Sequence, residues 1–181
     1  GAGAVTLGGN VAILATANTL TVGGIIDDGT STFSLTKSGA GTLVLNGNNS
    51  YDGLTDLSAG TLTLGGDNSG AAGGVTMAAS TVLNLGHAAA LGTGTLTING
   101  GTLDNSSGSA MTSSTSNLQN WNGSFAFIGS NSLNFGTGAV TLGATTTITT
   151  TASTLTAGAV SDGSSNFGIT KDGAGTLVLG G

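Results

Sequence analysis

Histidine occurs once in this chain, at His87 in L-G-H-A-A-A-L-G, so any Ser–His–Asp arrangement would have to be assembled around that single imidazole. Ser and Asp are too frequent to single out partners for it, and the reading adopted is a turn or surface histidine. The eight acidic residues are all Asp, and they include Asp27–Asp28–Gly29 and the matching Asp162–Gly163. Neighbouring carboxylates could hold calcium, a hard cation that wants several oxygen ligands. The calcium-binding nonapeptide G-G-x-G-x-D-x-U-x is absent and the second site has lost one Asp, so a turn in which Asp bonds its own backbone is expected instead. Tyr51 and Trp121 could stack on a ligand ring, but in a chain this poor in aromatics such rings more often cover a coil edge or bulge. No residue is assigned a catalytic, cofactor-binding or metal-ligating role, and no cofactor is expected.

The composition restricts what could position such residues. Charged residues are 6% of the 181, against about a quarter in ordinary domains, while Gly contributes 35 and Pro and Cys are absent. With 38% hydrophobic residues, regularly placed, the chain is expected to fold. The lack of Pro fits strands that have neighbours on both sides, where every backbone N–H is needed for the ladder. Lacking Cys, the fold must rest on backbone pairing and stacked aliphatic side chains. Two lysines, no arginine and a net charge of −6 exclude nucleic acid as a partner, because phosphate binding needs clustered cations. The same balance disfavours a polybasic membrane contact. No apolar run is long enough to span a bilayer, so no membrane insertion by this segment is expected. The first residue is Gly and no signal peptide is visible, so the chain reads as an internal excerpt or processed product.

Short segments of one form recur from end to end: A-V-T-L at 4–7, T-L-T-V at 19–22, T-L-V-L at 42–45, T-L-T-L at 61–64, T-V-L-N-L at 81–85, T-L-T-I at 95–98, S-L-N-F at 132–135, A-V-T-L at 139–142, T-L-T-A at 154–157 and T-L-V-L at 176–179. Their period-2 alternation puts an aliphatic pair on one face and Thr, Ser or Asn on the other. G-G, N-G, D-G, S-G and G-T-G between them are turn signals that supply positive φ. No segment shows helical periodicity. The residues predicted to point into the core are Val5, Leu7, Leu20, Val22, Leu43, Leu45, Leu62, Leu64, Leu83, Leu85, Leu96, Ile98, Leu133, Phe135, Val140, Leu142, Leu155, Leu177 and Leu179.

A long internal repeat decides how these strands assemble. Residues 3–31 align with 138–166, and after a one-residue deletion 33–47 align with 167–181, with 25 identities over 44 positions. Both lysines recur, in T-K-S-G-A-G-T-L-V-L and T-K-D-G-A-G-T-L-V-L. A closed barrel or sandwich has a fixed strand count, whereas a solenoid extends by copying a unit. The fold class read from the sequence is therefore all-β, a parallel β-helix of about eight or nine coils of roughly 20 residues, with 1–181 a single solenoid segment. At ~4.8 Å per coil it would form a rod roughly 40 Å long.

The stretch Lys37 to Gly66, K-S-G-A-G-T-L-V-L-N-G-N-N-S-Y-D-G-L-T-D-L-S-A-G-T-L-T-L-G-G, resembles the passenger-associated transport repeat, or autotransporter-associated β-strand repeat, of bacterial autotransporters. Lys37, Gly39, Gly41, Thr42, Leu43, Leu45, Gly47, Asn49, Tyr51 and Gly53 fall on its pattern, and Ala59, Gly60, Thr61, Leu62, Leu64 and Gly65 complete the second half. A further copy begins at Lys171. The middle of the chain more loosely resembles longer arrays in large surface proteins of environmental bacteria. The resemblance implies a right-handed β-helical passenger exported across the outer membrane and displayed outside the cell. Lack of Cys agrees with passage of an unfolded chain through a narrow pore. The sequence holds neither a C-terminal translocating barrel nor an N-terminal signal.

The expected function is that of a non-catalytic structural rod in a secreted or surface-displayed bacterial protein, at the outer cell surface or beyond. Its partners would be neighbouring repeats of the same chain or identical subunits stacked end to end. One alternative is a self-assembling filament subunit. Another is an adhesin for a host-cell or carbohydrate surface, with binding localised around Trp121 or Tyr51. A third is an ice-binding face built from T-x-T at 19–21, 61–63, 95–97, 145–147, 149–151 and 154–156, although that spacing is irregular. Enzymatic attack on polysaccharide would need clustered carboxylates, basic residues and an aromatic-lined groove, which this inventory hardly supplies.

Overall fold

Alternating Leu and Thr residues lay down one short strand after another, and glycine-rich corners turn each strand into the next. The computed structural model describes residues 1–180, and among them there is no helix. Coil one comprises β1 (Val5–Thr6), β2 (Val11–Leu14) and β3 (Thr19–Val22); coil two comprises β4 (Ile26–Asp27), β5 (Leu35–Ser38) and β6 (Thr42–Leu45). Coils three, four and five each carry two strands: β7 (Thr55–Leu57) and β8 (Thr61–Leu64), β9 (Val75–Met77) and β10 (Val82–Leu85), β11 (Leu96–Ile98) and β12 (Thr102–Asn105). Coil six has β13 (Met111–Thr112), β14 (Gln119–Trp121) and β15 (Phe125–Phe127); coil seven has β16 (Leu133–Asn134), β17 (Val140–Leu142) and β18 (Thr146–Thr150). Coil eight is the long β19 (Thr154–Ser161) with β20 (Ile169–Asp172), and β21 (Thr176–Gly180) starts a ninth.

Every pairing runs in parallel between successive coils, which makes a β-solenoid with three faces. The third face is one sheet of eight strands, from β3 through β6, β8, β10, β12, β15 and β18 to β20. The second face runs from β2 through β5, β7, β9, β11, β14 and β17 to the end of β19. The first face holds β1 and β4 at one end and β13, β16, the start of β19 and β21 at the other. Between these groups it continues through irregular backbone bonded coil to coil, with Ser50 N–H on Ile26 O at 2.9 Å and Asn68 N–H on Ala89 O at 3.2 Å.

The core is a set of columns along the axis. On the third face Leu43, Leu62, Leu83, Leu103 and Phe127 stand in register and are fully buried. Burial of each such Leu is worth about 1.5–3 kcal/mol relative to exposure. Of the nineteen inward residues expected from the pattern, fourteen are buried. Val5, Leu20 and Leu179 are instead 41%, 46% and 41% exposed, and Val22 and Leu177 are half-buried. All five lie in coil one or in β21, where an inward residue has a coil on one side only. The columns also include residues absent from that list, among them Leu35, Leu57, Met77 and Trp121, because the second-face strands carry weaker alternation than the T-L-x-L segments.

Candidate functional site: the lysine corner

The T-K-S-G-A-G-T-L segment forms the corner between the second and third faces. Lys37 takes an inward position in β5, stacked between Ile13 below and Leu57 above, and is 0% exposed. A buried ammonium needs acceptors. Here Nζ donates to the carbonyl oxygens of Ser38 at 3.0 Å, Gly39 at 2.7 Å and Ala59 at 2.9 Å. The first two belong to its own coil and the third to the next. Desolvation lowers the pKa of this amine below its ordinary value. The glycines make the approach possible. Gly60 has φ +71°, and a Cβ there would run into the carbonyl oxygens of Gly39 and Gly41 in the coil below. The two halves of the motif, K-x-G-x-G and A-G, are therefore stacked complements. Lys171, in the second copy, donates to Gly173 O at 2.6 Å and is exposed.

Inward polar side chains elsewhere also bond backbone across coils. Asn49 Oδ1 accepts from Ile26 N–H at 2.9 Å, and Asn68 Oδ1 accepts from both the N–H and the Nδ2 of Asn49. Asn68 Nδ2 then donates to Ala90 O at 2.7 Å. This asparagine ladder carries the first face through the coils that have no strand there. Asn117 does similar work by donating to Gly92 O and Gly94 O, each at 2.8 Å. Such a role was invisible in sequence, where Asn reads first as a turn residue.

The residues singled out for chemistry are dispersed. His87 is exposed in a turn, and its Nδ1 accepts from Ala89 N–H at 3.1 Å. Asp67 is held below the ordinary carboxylate range chiefly by the Ser69 N–H bonded to its Oδ1. Asp27 Oδ1 accepts from Gly29 N–H at 2.7 Å, and Asp28 Oδ2 accepts from Phe33 N–H at 2.8 Å and Asp52 N–H at 3.2 Å. Asp162 Oδ2 accepts from Phe167 N–H at 2.9 Å in the same way. These carboxylates organise turns. Among the described residues no three His, Cys, Asp or Glu side chains come together as a metal cage.

Tyr51 and Trp121 lie in the interior, so neither presents a ring to a ligand outside the rod. Tyr51 Oη is bonded to Thr55 Oγ1 at 2.5 Å. Trp121 packs edge-on against Phe125 with centroids 5.3 Å apart and donates from Nε1 to Gln119 Oε1 at 3.1 Å. The expectation that these rings cover a coil edge or bulge is corrected: they fill the core, where an aromatic body buries the most apolar area. The T-x-T pairs are scattered over faces. Those at 19–21, 61–63, 145–147 and 149–151 lie on the third face, 95–97 on the second and 154–156 on the first. On the third face Val44, Val82 and Asn84 interrupt the outward columns.

The passenger-associated transport repeat matches residues 35–64 and 169–181. These stretches include both lysine corners. No curated protein and no solved structure matches the chain significantly. The repeat and the β-solenoid together fit a segment similar to an autotransporter passenger.

Proposed function

We propose that the chain works as a rigid, non-catalytic rod in a secreted or surface-displayed bacterial protein. The observation that carries this reading is the unbroken stack of eight coils, joined by parallel backbone ladders and fastened at the lysine corner by a motif similar to the passenger-associated transport repeat. Such a stack resists bending because each coil is bonded to its neighbours along all three faces. Small-angle scattering tests the reading. A rod has one long dimension, roughly 40 Å for about eight coils. A near-spherical or expanded profile would sink it.

A second reading, filament assembly, is favoured by the exposed inward residues of the two end coils. Val5 and Leu20 at one end, with Leu177 and Leu179 at the other, offer apolar side chains beside unpaired strand edges. Stacking one copy on the next would be head-to-tail and open-ended. Sedimentation over a wide concentration range separates the readings. Concentration-independent short particles fit a spacer, and fibres of constant width fit a filament subunit.

A further inference from the structure

The two copies of the long repeat occupy different faces of the solenoid. β1 lies on the first face, where Val5 stacks on Ile26, but its copy β17 lies on the second, where Val140 stacks between Gln119 and Val160. β3 belongs to the third face and its copy, the start of β19, to the first. β5 is on the second face and its copy β20 on the third; β6 is on the third and its copy β21 on the first. Every copied strand has moved forward by one face. The unit thus advances six coils and one third of a coil.

Several corner features travel unchanged through this shift. Asn18 and its copy Ser153 have φ 59° and 55°, Gly29 and Gly163 have 66° and 67°, and Gly39 and Gly173 have 78° and 79°. The Asp28 to Phe33 and Asp162 to Phe167 bonds match, as do the Lys37 to Gly39 and Lys171 to Gly173 bonds. These matches also place the one-residue deletion of the second copy before Asp28 rather than near residue 32. The corners are local structures that do not depend on which two faces they join. Coil length varies for the same reason: on the third face Leu20, Leu43 and Leu62 are in register, and the steps 43 − 20 and 62 − 43 are 23 and 19 residues.

We infer that the long repeat is a face-shifting module: each duplication turns the surface it carries by one third of the circumference. This rests on the rod reading and deepens it. A rod extended by this duplication presents the same outward residues on successive sides and returns to the first side with the fourth copy. It has no single contact side, so lateral partners meet the same groups from three directions.

The absence of native Cys allows a direct test by paired substitutions at outward positions. Neighbouring parallel strands are ~4.8 Å apart, within the Cα range a disulfide accepts. In the shifted arrangement Thr141 stands beside Asn120 on the second face; an unshifted copy would place it over Thr112 on the first. Asn120→Cys with Thr141→Cys should oxidise to near completion, and Thr112→Cys with Thr141→Cys should give no intramolecular bridge. Thr36→Cys with Asp56→Cys, neighbours within the first copy, is the positive control. Closure of the 112/141 pair, or failure of the 120/141 pair while the control closes and β circular dichroism is retained, overturns the face shift. Scattering on the same variants keeps the two readings apart. Closure of the 120/141 pair in a particle that is not elongated would support the shift and sink the rod.

Discussion

Lys37 and Ala59 sit in consecutive coils and are joined by a 2.9 Å hydrogen bond from the ammonium of one to the carbonyl of the other. This bond gives a structural role to the one lysine in a motif rich in Gly, Thr and Leu. Lys37→Met keeps the length of the stem but leaves the Gly39 and Ala59 carbonyls without the ammonium donor, while Ser38 O keeps its bond from Ala15 N–H. A buried acceptor without a partner costs about 1–3 kcal/mol. The urea midpoint should fall accordingly. Lys171→Met, at an exposed copy with one bond to Gly173, should change stability by no more than about 0.5 kcal/mol. Equal losses at the two lysines would refute the cross-coil clamp.

Two glycines of nearly equal φ separate conformational cost from steric cost. Gly29 and Gly60 have φ +66° and +71°, but a Cβ at Gly29 meets open space while one at Gly60 meets the carbonyls of the coil below. Gly29→Ala should cost about 1–2 kcal/mol for the left-handed backbone alone. Gly60→Ala adds the collision and should be clearly worse in the same denaturation experiment. Indistinguishable midpoints would mean that the corners are not stacked as closely as described.

Leu62 lies in the middle of the third-face column, between Leu43 and Leu83, and is fully buried. Leu62→Asp would bury a carboxylate in a column of leucines, a substitution of the exceptional class above about 4 kcal/mol. Hydrogen exchange should speed up first in β6, β8 and β10, because each coil rests only on its neighbours. Unchanged melting would refute the inward assignment.

The solenoid was legible because one pattern, L-x-L, recurs on every third-face coil from Leu43 to Leu85 with Gly corners between. The second face was largely missed, since L-T-K-S at 35–38 and Q-N-W at 119–121 place Lys37, Gln119 and Trp121 inward and break the apolar alternation on which the reading relied. Asn49 and Asn68 escaped notice for a related reason. Their amides replace a strand ladder by bonding backbone one coil away, at separations of 19 to 23 residues that no local window spans. The face shift of the repeat could not be read either, because identity between copies says nothing of the azimuth at which each is wound. It follows from the register of the copied strands, as where Val140 stacks on Gln119 instead of on the first face.

Tyr51 supplies a pH test with its own optical readout, since it is the single tyrosine of the chain. Burial raises its pKa above the ordinary 10.0, opposed in part by the hydrogen bond with Thr55. The unfolded chain therefore loses this proton before the folded one does. Stability from the neutral phenol is fully present below about pH 10 and is lost as pH rises through the folded pKa. Lys37, with its pKa lowered from 10.5, acts in the opposite sense: its contribution grows as pH climbs towards that value. Melting followed from neutral to strongly alkaline pH should show a net fall. Phenolate absorbance should appear together with unfolding, because a phenolate cannot be accommodated in the core. Tyr51→Phe should cost about 1 kcal/mol at neutral pH through the lost bond to Thr55, and should abolish the alkaline fall or convert it to a slight rise. Phenolate formation near pH 10 in a still-folded rod would place the Tyr51 hydroxyl in water and contradict its position in the core.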